Sequence, residues 1–216
     1  VSTDMSDKET TPESALKLER IGVRRIEVPI QGVTPLIAHA WSEKARAMLL
    51  APSGQPRKKK EARDPDGDFN AARYILPGDR DGFPAVAFKA AMVGAARLFD
   101  GVTMTALKQW LFVNGEGPQQ LVPIEGVRSR REDMVRVGMG SADIRWRPQY
   151  DDWSATLLID FVATAIAPES VLALVDAAGI GGVGEWRPSS PKGATGSYGR
   201  FRVADVAGIN VLKAVG

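Results

Sequence analysis

The chain has 216 residues, a formal net charge of +2, a single histidine and no cysteine. The length suits one large domain or two small ones. The missing cysteine excludes disulfides, thiolate zinc sites and thiol nucleophiles. No apolar run approaches the ~18 residues of a membrane helix and no charged-then-apolar leader is visible, so a cytoplasmic protein without a membrane partner is expected.

Residues 1–16 are acidic and aperiodic and read as a flexible arm; residues 17–216 read as one domain. Residues 25–31 alternate, with Ile26, Val28 and Ile30 facing one way, which predicts a half-buried strand. Pro29 on the polar side suggests an edge or a bulge. Residues 34–39 continue extended, and Ser42 is placed to cap a short helix over 43–50. The basic run 57–63 lies in a loop. The sequence DPDGD at 64–68 has its glycine at the wrong position for a calcium loop, and Ile75 stands where the closing acid belongs, so calcium is excluded. Residues 69–75 fit a helical turn or a short strand.

Residues 84–99 predict a helix with Phe88, Met92, Ala95 and Phe99 on one face. Lys89 and Arg97 fall about 80° apart, away from that stripe. Residues 109–113 and 121–124 read as strands. From 126 to 150 the chain is rich in arginine and predicts a hairpin with its tip near 138–141. With so little to bury on one face, that hairpin should project from the domain. Residues 153–164 form the strongest strand signal, and 168–178 a compact helix with Pro168 in its first turn and Gly179 as its stop. Residues 179–202, GIGGVGEWRPSSPKGATGSYGRFR, combine seven glycines with cations and rings, which predicts a mobile loop suited to a flat-based polyanion. A short apolar tail, 209–215, docks or adds a last strand. Strands and helices intermix without an internal repeat. The pattern predicts an α+β domain with an antiparallel sheet backed by helices.

Catalytic chemistry is narrowly bounded. His39 is the one candidate acid or base, for RNA cleavage with a partner such as Lys89. Residues 179–184 match GxGxxG but follow a helix instead of a strand, and no phosphate-binding GxxxxGK[ST] occurs. No cofactor or metal is expected. The cations cluster with aromatic residues in three segments. The candidate nucleic-acid-binding residues are Lys89, Arg97, Arg128, Arg130, Arg131, Arg145, Trp146, Arg147, Trp186, Arg187, Lys192 and Arg200.

Two stretches together resemble a known family. Residues 83–91, FPAVAFKAA, resemble the helix start of the RAMP superfamily, the RRM-like proteins of CRISPR effector complexes, although Ala85-Val86-Ala87 replaces the usual Gly-Ser-Ser. Residues 196–201, GSYGRF, resemble the end of that family's glycine-rich loop, and Thr34-Pro35-Leu36 fits its opening strand. The resemblance implies a ferredoxin-like fold, a thumb formed by the hairpin at 126–150, and subunits that polymerise along guide RNA. The chain also looks like small phage-carried proteins. The expected function is therefore a single-stranded RNA- or DNA-binding protein that forms a homo-oligomeric filament along the strand. An endoribonuclease using His39 and a virion adaptor without nucleic acid are the alternatives.

Overall fold

The computed structural model describes residues 18, 20–41, 46, 47, 50, 63–137, 141–190, 196–204 and 210–212. The N-terminal arm, most of the helix expected over 43–50, the basic run before Arg63, the hairpin tip at 138–140 and Lys192 lie outside the described residues.

Strand β1 (Val23–Gly32) buries Ile26, Val28 and Ile30 and turns Arg25, Glu27, Pro29 and Gln31 to the other side. It pairs antiparallel with the second half of β8 (Ser141–Val162). β5 (Leu111–Asn114) pairs with the same residues of β8 from the opposite edge. β9 (Phe201–Val203) and β10 (Asn210–Leu212) share the outer edge of β1. Helices α2 (Ala85–Ala95) and α4 (Pro168–Gly181) supply Phe88, Met92, Val171, Leu174, Val175 and Ala178 to one core with the inward residues of β1 and β8. The order β10-β1-β8-β5, with one helix before β5 and one after β8, is the ferredoxin-like arrangement. The α+β expectation therefore holds.

Pro29 sits in neither an edge strand nor a bulge. Its carbonyl accepts from Ala204 N–H at 2.9 Å, so the missing proline donor faces the same side, where the ladder breaks between β10 and β9.

A second sheet joins β3 (Ile75–Leu76), β4 (Arg80–Pro84) and β6 (Leu121–Pro123). Two short helices depart from the sequence reading. α1 (Pro65–Ala71) begins in the aspartate-rich stretch, ahead of the helical turn or short strand expected over 69–75: Asp64 Oδ1 accepts from Gly67 N–H at 3.0 Å, and Pro65 occupies the first turn. α3 (Met104–Trp110) is capped by Thr103, whose Oγ1 accepts from Ala106 N–H, and it takes residues 109 and 110 from the strand predicted there.

The arginine-rich hairpin is present as β7 (Glu125–Val137) against the first half of β8. Its second arm is no insert, because β8 runs on for 22 residues into the centre of the sheet. A bulge at Glu125/Val127, with Asp152 at φ 48°, bends it there. Nor is the base bare: α1 packs on β8, and Trp146, Arg147 and Tyr150 are buried.

An edge-to-face series of rings, Tyr74–Phe83–Phe88–Phe201–Trp153, with centroids 5.8–6.0 Å apart, ties β4, α2, β9 and β8 together. Phe201 reaches it because the described parts of the glycine-rich segment, 179–190 and 196–200, are drawn tightly into the fold, where a mobile loop was expected; residues 191–195 lie outside the described residues. Gly199 donates to Pro35 O at 2.7 Å and accepts from Val183 N–H at 2.9 Å; Glu185 N–H donates to Ile37 O. A Cβ at Gly199 would lie 1.8 Å from Val183 O, and φ there is +65°. These glycines serve close backbone approach more than flexibility.

Two glycine substitutions should therefore act in opposite directions. Gly199→Ala should lose about 3 kcal/mol of stability in urea unfolding, from left-handed strain plus the clash. Gly94→Ala, inside α2 with open space around it, should gain about 0.5–1 kcal/mol.

Candidate nucleic-acid interface

The cations divide into those already neutralised by the chain and those left open. Asp81 holds both Arg73 (Nε, 2.9 Å) and Arg128 (Nη1, 2.6 Å). Arg130 pairs with Asp66, Arg63 with Asp143, and Arg145 lies 3.8 Å from Asp143. The exposed Arg130–Asp66 pair contributes about 0–1 kcal/mol, so a phosphate could displace that carboxylate; Arg73 and Asp81 are largely buried. Arg97 is exposed and Arg200 half-buried, and neither side chain has a partner among the described residues. Arg24, Lys108, Arg136 and Arg202 are likewise exposed without a side-chain partner there, and none of these four was among the sequence candidates.

Three candidates serve the interior. Arg147 is 1 % exposed; it lies 3.4 Å from Glu185 Oε2 and 3.8 Å from Asp133 Oδ2, and its guanidinium stands 5.3 Å from the Trp186 ring. Burial pushes its pKa down, and neither its Nε nor Asp133 Oδ2 has a hydrogen-bond partner. Trp146 is buried and donates Nε1–H to Glu132 at 2.7 Å. Arg131 donates to Asp133 (2.7 Å), Gln149 (3.0 Å) and the Tyr198 hydroxyl (3.1 Å), and lies 4.9 Å from both the Trp186 and Tyr198 rings. The glycine-rich segment thus closes over the base of the hairpin by cation–π contact. Trp186 is held at φ 54°, a conformation rare for a bulky residue, and Gly196 gives it room: a Cβ there would fall 2.3 Å from Trp186 O. Arg187 folds back to donate to Gly184 O at 2.7 Å.

Lys89 belongs to a different group. Its Nζ donates to Lys108 O at 2.9 Å and lies 4.5 Å from the Phe112 ring. The contacts of Lys89 and those of Trp186 share no residue. Beside Lys89 the N-terminus of α2 is open. Pro84 supplies no side-chain cap, the first turn holds no acid, and Val86 is 70 % exposed. Ala85 N–H is taken by Gln120 O. The next amides have no intrahelical acceptor, and with the helix dipole they favour an anion. Residue types alone did not disclose this site, since its donors are backbone groups.

The open face of the main sheet is not a stacking platform. At its centre Arg25 makes a bidentate pair with Asp160 (2.5 and 2.8 Å), and Asn114 adds a third bond to that carboxylate. Arg25 holds the Asp160 carboxyl below its usual range. Burial first, then the Arg147 charge, lowers the pKa of His39, which keeps its ring neutral at pH 7. No cluster of three metal-ligating side chains occurs among the described residues, and no described helix is long and apolar enough to cross a membrane.

No protein-family model matches the chain, and no curated protein matches it. Its fold is similar to that of a chain in the cryo-EM structure of the type III-B Cmr-beta assembly bound to cognate target RNA. The TM-score is 0.51 at 11 % identity, over 89 % of this chain and 61 % of that one. This chain spans less than two thirds of the length of that neighbour, and the likeness is one of fold.

Arg147→Met should cost roughly 2–4 kcal/mol in urea unfolding, because it leaves Asp133 buried with one partner fewer. The salt dependence of any oligonucleotide binding should stay unchanged, since a buried guanidinium releases no counterion.

Proposed function

We propose that this chain is a single-stranded nucleic-acid-binding protein that works by binding and not by cleavage. The observation that carries the proposal is the open, uncapped N-terminus of α2 with Lys89 one turn in. Backbone donors and the helix dipole favour a phosphate there, and Lys89, whose ammonium rests on Lys108 O and the Phe112 ring, would swing toward it from the next turn. The same residues carry the resemblance to the RAMP helix start, and the fold is shared with a chain of an assembly solved with RNA bound. Arg97, Arg200 and the weakly paired Arg130 extend the electrostatic surface.

Copies of the protein would sit side by side along the strand. The outer edge of β7 supports this arrangement, since it pairs with no strand among the described residues.

The test is fluorescence anisotropy with a labelled single-stranded oligonucleotide over a salt series. Lys89→Ala should weaken binding and reduce the slope of log K against log salt by about 0.7. Val86→Glu places a carboxylate where the phosphate would lie. It should weaken binding at least about tenfold while leaving stability the same or slightly higher, since an acid favours a helix N-terminus by about 0.3–1 kcal/mol. Wild-type binding by Val86→Glu would remove this site from the interface.

A further inference from the structure

A cleft of about 530 Å³ opens between the second sheet and the segment after β2 (Leu36–Ile37), with Pro84 among its lining residues. That volume lies within the range of small-ligand sites, ~300–1,000 Å³. Trp41 stands at its rim, 65 % exposed, with Ile75 beside it at 48 %. The indole is thus open to a stacking partner, where Trp146 and Trp153 are buried. The wall is Tyr74, fixed edge-on to Phe83 at 5.8 Å and by its hydroxyl donating to His39 O at 3.3 Å. Arg73 is pinned at the base by Asp81 and Asp79, each at 2.9 Å. Gln119, exposed on the 115–121 turn, offers an amide with no partner among the described residues.

We infer that this cleft receives one nucleobase, stacked on Trp41 and hydrogen-bonded along its edge by Gln119. A planar heteroaromatic ring satisfies all three features at once: an indole ring at the rim, a cleft of small-ligand volume, and a free donor–acceptor pair at its edge. Pro84 is both a wall of the cleft and the residue that starts α2. A strand whose phosphate rests on the α2 N-terminus would therefore turn a base into the cleft. The inference deepens the function proposed above and rests on it for the polymer, though a lone mononucleotide would report the cleft by itself.

The experiment uses the full chain with two probes: AMP, followed by saturation-transfer NMR, and the labelled oligonucleotide. Wild type should transfer saturation to the aromatic protons of AMP, and Trp41→Ala should not. Trp41→Ala should bind the oligonucleotide roughly five- to a hundredfold more weakly, with the salt slope unchanged. Gln119→Ala should act in the same direction with a smaller effect. Leu98→Ala, an exposed control away from the cleft, should match wild type.

If Val86→Glu and Lys89→Ala bind as wild type while Trp41→Ala loses AMP, the phosphate site falls and the cleft stands. If Trp41→Ala retains both AMP and oligonucleotide binding, or wild type takes up no AMP, the cleft is not a base site. A change in sedimentation for Trp41→Ala without a change in AMP uptake would make the rim a contact between protein copies, which also overturns the inference.

Discussion

Two backbone approaches too close for any side chain organise this molecule. At Gly179 a Cβ would meet Phe201 O at 1.8 Å, and at Gly199 one would meet Val183 O at the same distance. Because the chain can pass there, α4 and β9 lie against each other, Phe201 enters the ring series, and the carbonyl of Arg200 accepts from Val33 N–H at 2.8 Å. The same passage carries Trp186 and Tyr198 onto Arg131 and Arg147 at the base of the hairpin. Sheet, hairpin and glycine-rich segment are thus one packing problem, solved by residues that have no side chain to place.

That passage also sets the electrostatics. Closing the segment over Arg147 and Asp133 removes two charges from water, and neither finds a full set of hydrogen bonds. Such a pair specifies the closed arrangement more than it stabilises it. Further along the hairpin the arginines meet acids brought from elsewhere: Asp81 is 47 positions from Arg128, and Asp66 is 64 from Arg130. An arginine-rich stretch therefore arrives in the fold largely neutralised, and open positive charge is left at Arg24, Arg97, Lys108, Arg136, Arg200 and Arg202.

The sequence made the strands that alternate and the helices that carry strong stop signals legible. β1, the second half of β8, α2 and α4 follow from period and punctuation alone, because one face of each is buried in a single core. α3 escaped and α1 was met only as one of two readings of 69–75, because each is seven residues long, too short for a period to show, and only their caps announce them: Asp64 with Pro65, and Thr103. The glycine-rich segment was found, but its conformation was not, since composition cannot tell a glycine that moves from one that lets another chain pass. The interface was legible to the extent that Lys89 and Arg97 stood off the apolar stripe of their helix. Which arginines were spoken for depended on contacts between residues far apart in the chain.

A ferredoxin-like sheet with helices on one face leaves its other face as the obvious place for a ligand. Here the centre of that face is neutralised by its own chemistry. The Arg25–Asp160 pair is bidentate through Nε and Nη2, with Asn114 on the same carboxylate, and Leu158 and Pro29 beside it offer no donor. Among the described residues Phe112 at the β5 edge is the aromatic side chain on that face, and Lys89 lies over it. The corner where β4 runs into α2 has backbone amides without a cap, and Pro84, which begins that helix, also lines the cleft with the exposed indole. On the function proposed above, one proline would border both the phosphate and the base, and a small domain would hold both parts of a nucleotide without using its sheet.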